Sequence, residues 1–287
     1  MITQNLHMHS TWDDGKNTVE EMILASKAAG LTSVGVSVHA PMIFGTGGWA
    51  CPEDKLKAYR EEVRALKEKY KGFIDVYLGV EWDVLSQIDL EPYDYVIGST
   101  HCIPMPMKLP ENCPPELAAM FSMDYPSVDE NAEATKRMLD GHFGGDADAA
   151  AEAYFEQLEK VAETAKVDIV GHFDLITKFD ESDHFFDENS PCYEAAATRA
   201  MEKLVKAGKI FEVNTGAISR GYRSTPYPSA KWLRLLREMD GRVTVSADAH
   251  HVSGVTCRFD LAEKLIKEAG FEKIWILKGK EFVPVKI

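Results

Sequence analysis

The stretch "HMHSTWDDG" sets His7 and His9 two residues apart and follows them with Asp13 and Asp14. Imidazole and carboxylate without thiolate form a donor set for zinc, manganese or iron. The same residue types recur far along the chain. His39 ends "VGVSVH", Glu81 lies in "VYLGVEWD", His101 in "YVIGSTHC" and His172 in "DIVGHFD", while Asp248 and His250 share "VTVSADAH". Each stands where a β-rich apolar run stops. Residues two apart on an extended chain point to one side, so His7 pairs with His9 and Asp248 with His250. With Asp14 added, the candidate metal ligands are His7, His9, Asp14, His39, Glu81, His101, His172, Asp248 and His250. One ion takes about four to six ligands, so this set suits two or three divalent ions sharing a bridging carboxylate. A lone histidine at a strand end reads as an ordinary hydrogen-bonded residue. The set carries the argument, because six of the nine histidines occupy equivalent positions. His142 and His184 lie in polar loops and His251 is out of phase with His250, so these three read as structural.

Such donors must be carried to one place by the elements beneath them. Apolar runs at 2–9, 33–39, 74–81, 93–101, 167–172, 210–214 and 242–248 alternate with helical patterns. Thr18 and Glu21 form a capping box, and Gly30 closes that helix. Pro52 opens a charged helix reaching about Tyr70. The segments 147–166, 191–207, 229–239 and 260–269 also carry helical spacing. Strand–helix alternation predicts parallel βαβ units and an α/β fold. Seven strands favour a TIM-barrel-like (β/α) barrel over a doubly wound sheet, and a barrel delivers every strand end to one face. Residues 273–277 and 281–285 read as a terminal strand and its return. The stretch 102–146, rich in proline and methionine, reads as a lid-like insertion with a short helix near 132–139. The whole of 1–287 is expected to be a single domain.

Composition narrows the partners. The chain has 287 residues, a formal charge of −14 and a pI near 5.1. It should repel bare nucleic acid and anionic membranes, so neither is expected as a partner. Five cysteines with no CxxC pair fit a reduced compartment, and the expected location is cytoplasmic. Three divalent ions against three carboxylates leave a positive centre, which makes a phosphate a sensible guest despite the acidic surface.

"HMHSTWDDG", His39, "GVEWD", "GSTHC", "GHFD" and "SADAH", in that order, resemble the successive motifs of the PHP (polymerase and histidinol phosphatase) metallohydrolases. "GHFDLITKF" and "EVNTGAISRGYRSTPYPS" are most similar to the monofunctional histidinol-phosphate phosphatases. The resemblance implies a distorted (β/α)7 barrel with a trinuclear centre. His7, His9, Glu81 and Asp248 would hold one metal. Glu81 would bridge to a second held by His101 and His172, and Asp14, His39 and His250 would hold the third. The implied activity is hydrolysis of L-histidinol phosphate, a step of histidine biosynthesis, by a hydroxide bridging two metals. Other small phosphate monoesters, such as a nucleotide or a phosphotyrosine, are the alternative, and a non-catalytic metal-binding module is a third reading.

Asp248, His250 and Glu81 are the candidate catalytic residues, Asp248 or a histidine relaying a proton. Arg220 and Arg223 in "SRGYR" are expected to clamp phosphate, with Lys178 as a third cation. Asn214 and Glu212 face the same mouth and could meet an ammonium group, and Glu212 could equally support a metal ligand. Tyr222, Tyr227 and Trp232 are expected to pack the rim, Trp12 and Trp82 to wall the cavity, and Met105, Met107, Met120 and Met123 to make apolar contacts or anchor the loop.

Overall fold

A computed structural model describes residues 2–107, 113–114 and 122–287. Seven parallel strands form one sheet: β1 (Gln4–Asn5), β2 (Ser33–His39), β3 (Asp75–Asp83), β4 (Tyr95–Ser99), then, after the short antiparallel ribbon β5 (Met105–Pro106) and β6 (Met123–Asp124), β7 (Ile169–Val170), β8 (Ile210–Asn214) and β9 (Arg242–Ser246). Their spatial order follows the chain order from β1 to β9. A parallel bridge between Met8 and Ala249 joins the first strand to the last, so the sheet curls into a nearly closed barrel. The backbone seals that seam: His9 N–H donates to Ala249 O at 3.0 Å and Ala249 N–H to His7 O at 3.3 Å.

The strands are buried on both faces, as a parallel sheet wrapped in helices requires. All seven residues of β2, "SVGVSVH", are buried. Helices pack outside. In α1 (Val19–Ala28) Thr18 and Glu21 make the reciprocal capping box that the sequence predicts. The charged helix α2 (Leu56–Lys69) starts one turn later than Pro52, after a 3-10 turn at Glu53–Lys55.

Several apolar runs are longer than the strands they contain. Only two residues each of the runs 2–9 and 167–172 pair in the main ladder. Beyond those pairs single backbone bonds, Ser37 N–H to Met8 O and Gly171 N–H to Gly98 O, continue up to the histidines. The 147–166 helix ends at Glu159 and tightens to a 3-10 turn at Lys160–Glu163. The segment 102–146 contains the β5–β6 ribbon and the helix Ala132–His142. Met120 lies outside the described residues.

The terminal pair is an antiparallel hairpin, β10 (Lys273–Lys278) with β11 (Glu281–Lys286). It docks on the starts of the strands, where the Gln4 side chain exchanges hydrogen bonds with both the N–H and C=O of Leu277. Leu6, Tyr77, Tyr95, Ile97, Ile169 and Leu277 fill this end of the barrel. The histidines occupy the other.

Candidate metal centre

All nine expected ligands converge at the carboxyl ends of the strands. His7 and His9 follow β1, His39 ends β2, Glu81 lies within β3, His101 and His172 follow β4 and β7, and Asp248 and His250 follow β9. Glu81 is the hub. Its Oε2 lies 3.1 Å from His7 Nε2, 3.6 Å from His9 Nε2 and 2.8 Å from His39 Nδ1. Its Oε1 lies 3.2 Å from His101 Nε2 and 3.0 Å from His172 Nε2. Asp248 Oδ1 stands 3.2 Å from His9 Nε2 and 3.8 Å from His7 Nε2. Asp14 Oδ1 stands 3.2 Å from His250 Nε2 and 3.8 Å from His39 Nε2.

Three groups have donor atoms within 4.8 Å of one another: His9, Asp14, His39 and His250; His7, His9 and Asp248; His39, Glu81 and His101. Buried polar atoms ordinarily find hydrogen-bond partners. Here His7 Nε2, His9 Nε2, His39 Nδ1, Glu81 Oε2 and Asp14 Oδ1 have none, and all face this centre. Orphaned imidazole nitrogens and carboxylate oxygens at 3–4 Å spacing fit divalent cations shared between groups.

The far edges of the rings are held by carboxylates. Glu212 lies 2.9 Å from His7 Nδ1, Asp13 2.7 Å from His9 Nδ1, and Asp83 3.1 Å from His101 Nδ1. Such partners fix the tautomer and turn Nε2 inward. Asp13 also accepts from the N–H groups of Ser10 and His39. It is therefore an orienting group, whereas the neighbouring Asp14 joins the donor cluster. Two of these supports were open to sequence reasoning as companions of ligands. Asp83 is two residues from Glu81 on one strand, and Asp13 adjoins Asp14.

Charge accumulates accordingly. Burial opposes ionisation of Glu81, yet His39, His7 and His101 hold its carboxyl well below the usual range. Burial likewise opposes ionisation of Asp248, and Arg220 and His7 hold it low. Burial alone would depress His9, but Asp13 and Asp248 outweigh it and raise the imidazole to about 10.

Above the donors opens a cavity of about 480 Å³, lined by Trp49 from the loop after β2, by Ser127, Asp129 and Glu130, and by Lys178, Arg220 and Tyr222 from the loops after β7 and β8. Arg220 Nη2 lies 3.1 Å from Asp248 Oδ2, and Nη1 lies 2.8 Å from His250 Nδ1. Lys178 donates to Asp129 O at 2.6 Å and to Asp129 Oδ2 at 3.1 Å.

Two expected phosphate or substrate contacts are placed elsewhere. Arg223, 8% exposed, is held by the carbonyl and hydroxyl of Thr177 and lines a second depression. Its guanidinium is thereby committed to packing the β7 and β8 loops together. Asn214 is fully buried and donates to Glu212 at 2.7 Å, so it steadies the support of His7. Glu212 itself takes the supporting role. Trp12 packs against Tyr59, and the Trp82 indole donates to Ser86 O, so neither walls the cavity. Trp49, which carries no metal-motif signal in the sequence, does so instead.

A family model described as the PHP domain matches residues 5–216. The chain belongs to the PHP family. Asp248 and His250 lie beyond the matched segment, and the barrel closure brings them to the PHP donors. This PHP chain is 26% identical over 277 residues to a protein of Deinococcus radiodurans named probable histidinol-phosphatase, covering 92% of each. It is 26% identical over 241 residues to a protein of the same name from Schizosaccharomyces pombe, covering 79% of this chain and 71% of that one. The fold matches a putative histidinol phosphatase from Listeria monocytogenes with a TM-score of 0.71 at 18% identity, covering 90% of this chain and 99% of that one. It matches a histidinol phosphate phosphatase from Lactococcus lactis, complexed with zinc, L-histidinol and phosphate, with a TM-score of 0.68 at 18% identity, covering 98% of each.

Proposed function

We propose that this PHP protein is a metal-dependent phosphomonoesterase that hydrolyses L-histidinol phosphate to L-histidinol and inorganic phosphate, acting in cytoplasmic histidine biosynthesis. The observation that carries the reading is the gathering of eight metal-type donors, with His172 3.0 Å from Glu81 as a ninth, beside a cavity lined by Arg220 and Lys178. The kinship with proteins named probable histidinol-phosphatase over 92% of both chains supports the substrate. The Lactococcus structure, with zinc, L-histidinol and phosphate, supports zinc as the first ion to test. Manganese and iron suit the same donors.

His7, His9, Glu81 and Asp248 would hold one cation, Glu81 with His101 and His172 a second, and Asp14, His39 and His250 a third. Bound divalent cations supply Lewis acidity and lower the pKa of water towards about 7. In the reaction a water oxygen bonds to phosphorus while the bond from phosphorus to the ester oxygen breaks. The proton shed by the water and the proton gained by the departing alkoxide must both be handled by the protein. Asp248 and His250, which border the cavity, are the candidates to relay these protons. Arg220 lines the cavity while its Nη groups are held by Asp248 and His250, so it would bring fixed positive charge to the phosphoryl group. Lys178, paired with Asp129, adds positive charge to the lining.

The test is phosphate release by purified protein of measured metal content. The panel spans L-histidinol phosphate, nucleoside monophosphates, phosphotyrosine and sugar phosphates. Preference for L-histidinol phosphate is expected. A preference for nucleotides would favour the second reading, which draws on 31% identity over 107 residues to the DNA polymerase/3'-5' exonuclease PolX of Bacillus subtilis, only 18% of that protein. Metal-loaded protein with no turnover on any of them would leave a binding module.

A further inference from the structure

The reaction proposed above uses only some of the groups that line the cavity. Arg220 and Lys178 suit an anionic phosphoryl group. The lining also carries Trp49 together with Ser127, Asp129 and Glu130. These two sets come from different loops that are tied together, since the Phe44 and Tyr125 rings stack at 4.6 Å.

Trp49 is set in place by its own loop. Gly47 has φ of +58°, and a Cβ there would fall 2.5 Å from the Trp49 indole nitrogen. A side chain at 47 would displace the indole, so the glycine lets it lie against the backbone. The ring then stands edge to face with His39, centroids 4.6 Å apart, and 5.3 Å from His101. It thus packs against two metal-type donors and lines the cavity beside them. Tyr222 is the other aromatic of the cavity, but Lys178 Nζ lies over its ring at 4.9 Å, so that face is taken.

Of the two acids, Asp129 is matched by Lys178 at 3.1 Å. Glu130 is exposed, and among the described residues no cation pairs with it; Asn131 donates to its Oε1 at 3.3 Å. The lining that holds Trp49 therefore also holds an acid with no cation paired to it among the described residues. An aromatic face beside a carboxylate attracts a planar cationic or ammonium-bearing group, through ring stacking, cation–π attraction and charge pairing.

We propose that Trp49 and Glu130 form the leaving-group subsite, selecting phosphate monoesters whose alcohol carries both a planar ring and a positive charge. This rests on the phosphomonoesterase reading and assigns the substrate preference to two residues outside the metal motifs. Neither takes part in bond making or breaking. They orient the alcohol while Arg220 and Lys178 face the phosphoryl group.

Three substrates separate the two contacts on metal-loaded protein: L-histidinol phosphate has ring and ammonium, O-phosphoethanolamine has ammonium alone, and p-nitrophenyl phosphate has a ring alone. In Trp49→Leu, the kcat/KM ratio of L-histidinol phosphate over O-phosphoethanolamine should fall about tenfold, mostly through KM, and Trp49→Phe should recover most of it. In Glu130→Gln, the ratio of either amine over p-nitrophenyl phosphate should fall severalfold, with the effect shrinking as salt rises. Metal content of each variant, measured by mass spectrometry, should match the wild type. Equal losses on all three substrates, a fall in bound metal, or unchanged ratios would overturn the subsite. A wild-type enzyme that cleaves p-nitrophenyl phosphate but not L-histidinol phosphate would instead overturn the substrate reading, and the O-phosphoethanolamine ratios would still test the pocket.

Discussion

Glu212 is fully buried, yet it sits 2.9 Å from His7 Nδ1 and accepts from the His172 N–H at 2.9 Å. It therefore steers one donor by its ring and another by its backbone. Glu212→Gln should lower metal affinity roughly 10–100-fold while leaving the fold intact, read as metal retained after dialysis. Asp248→Asn removes a charge from the donor set and unpairs Arg220. It should lower kcat about a thousandfold on any accepted monoester. A variant within tenfold of wild type would remove Asp248 from the mechanism. His9 gives the pH dependence. Its imidazole is raised to about 10 in the ion-free fold from an ordinary 6.5. A raised histidine contributes stability that is complete below the unfolded value and disappears as pH climbs through the folded one. The chelated protein should therefore lose thermal stability between about pH 6.5 and 10. Cation uptake expels that proton, so metal binding should release protons and tighten as pH rises, measurable by calorimetry in buffers of different ionisation heat.

At the scale of elements, the β2–β3–β4 region depends on absent side chains. Gly35 on β2 and Gly79 on β3 both leave room for the Tyr95 ring, whose hydroxyl donates to Leu6 O inside the barrel. A methyl group at 79 would collide with that ring. Gly79→Ala should cost about 1–3 kcal/mol, seen as a thermal midpoint lowered by several degrees. An unchanged midpoint would mean that Tyr95 relocates freely. The donors, the strand alternation and the barrel were legible because each motif residue ends an apolar run, and strand ends in this fold share a face. The supports were less legible. Asp83 and Asp13 stand beside ligands, but a carboxylate next to a histidine motif gives no sign of which atom it will meet. Arg223 shows the limit from the other side. Its spacing from Arg220 suggested a paired clamp, while the turn at Gly221, φ +78°, sends the two guanidiniums to different depressions. Trp49 carried no periodicity or motif at all, and only the loop geometry after β2 brings it over the donors.

Over the whole molecule, the ions would do more than chemistry. Their donors come from both sides of the seam where β1 meets β9, so cations would cross-link the closure of the barrel. Prolonged chelation should abolish activity and lower the thermal midpoint, and returning zinc or manganese should restore both. Activity that survives complete removal of metal would defeat the metal-dependent reading. Among the described residues no helix is long and apolar enough to cross a membrane.

The seam between Met8 and Ala249 also sets a timetable. The first two histidines leave the ribosome more than two hundred residues ahead of their partners at 248 and 250. Until then a nascent chain carries a string of loose metal-seeking side chains and an open sheet edge. Full loading with cations must therefore wait for residues 248 and 250, and a chain stalled before residue 248 should bind zinc weakly and be prone to capture by chaperones.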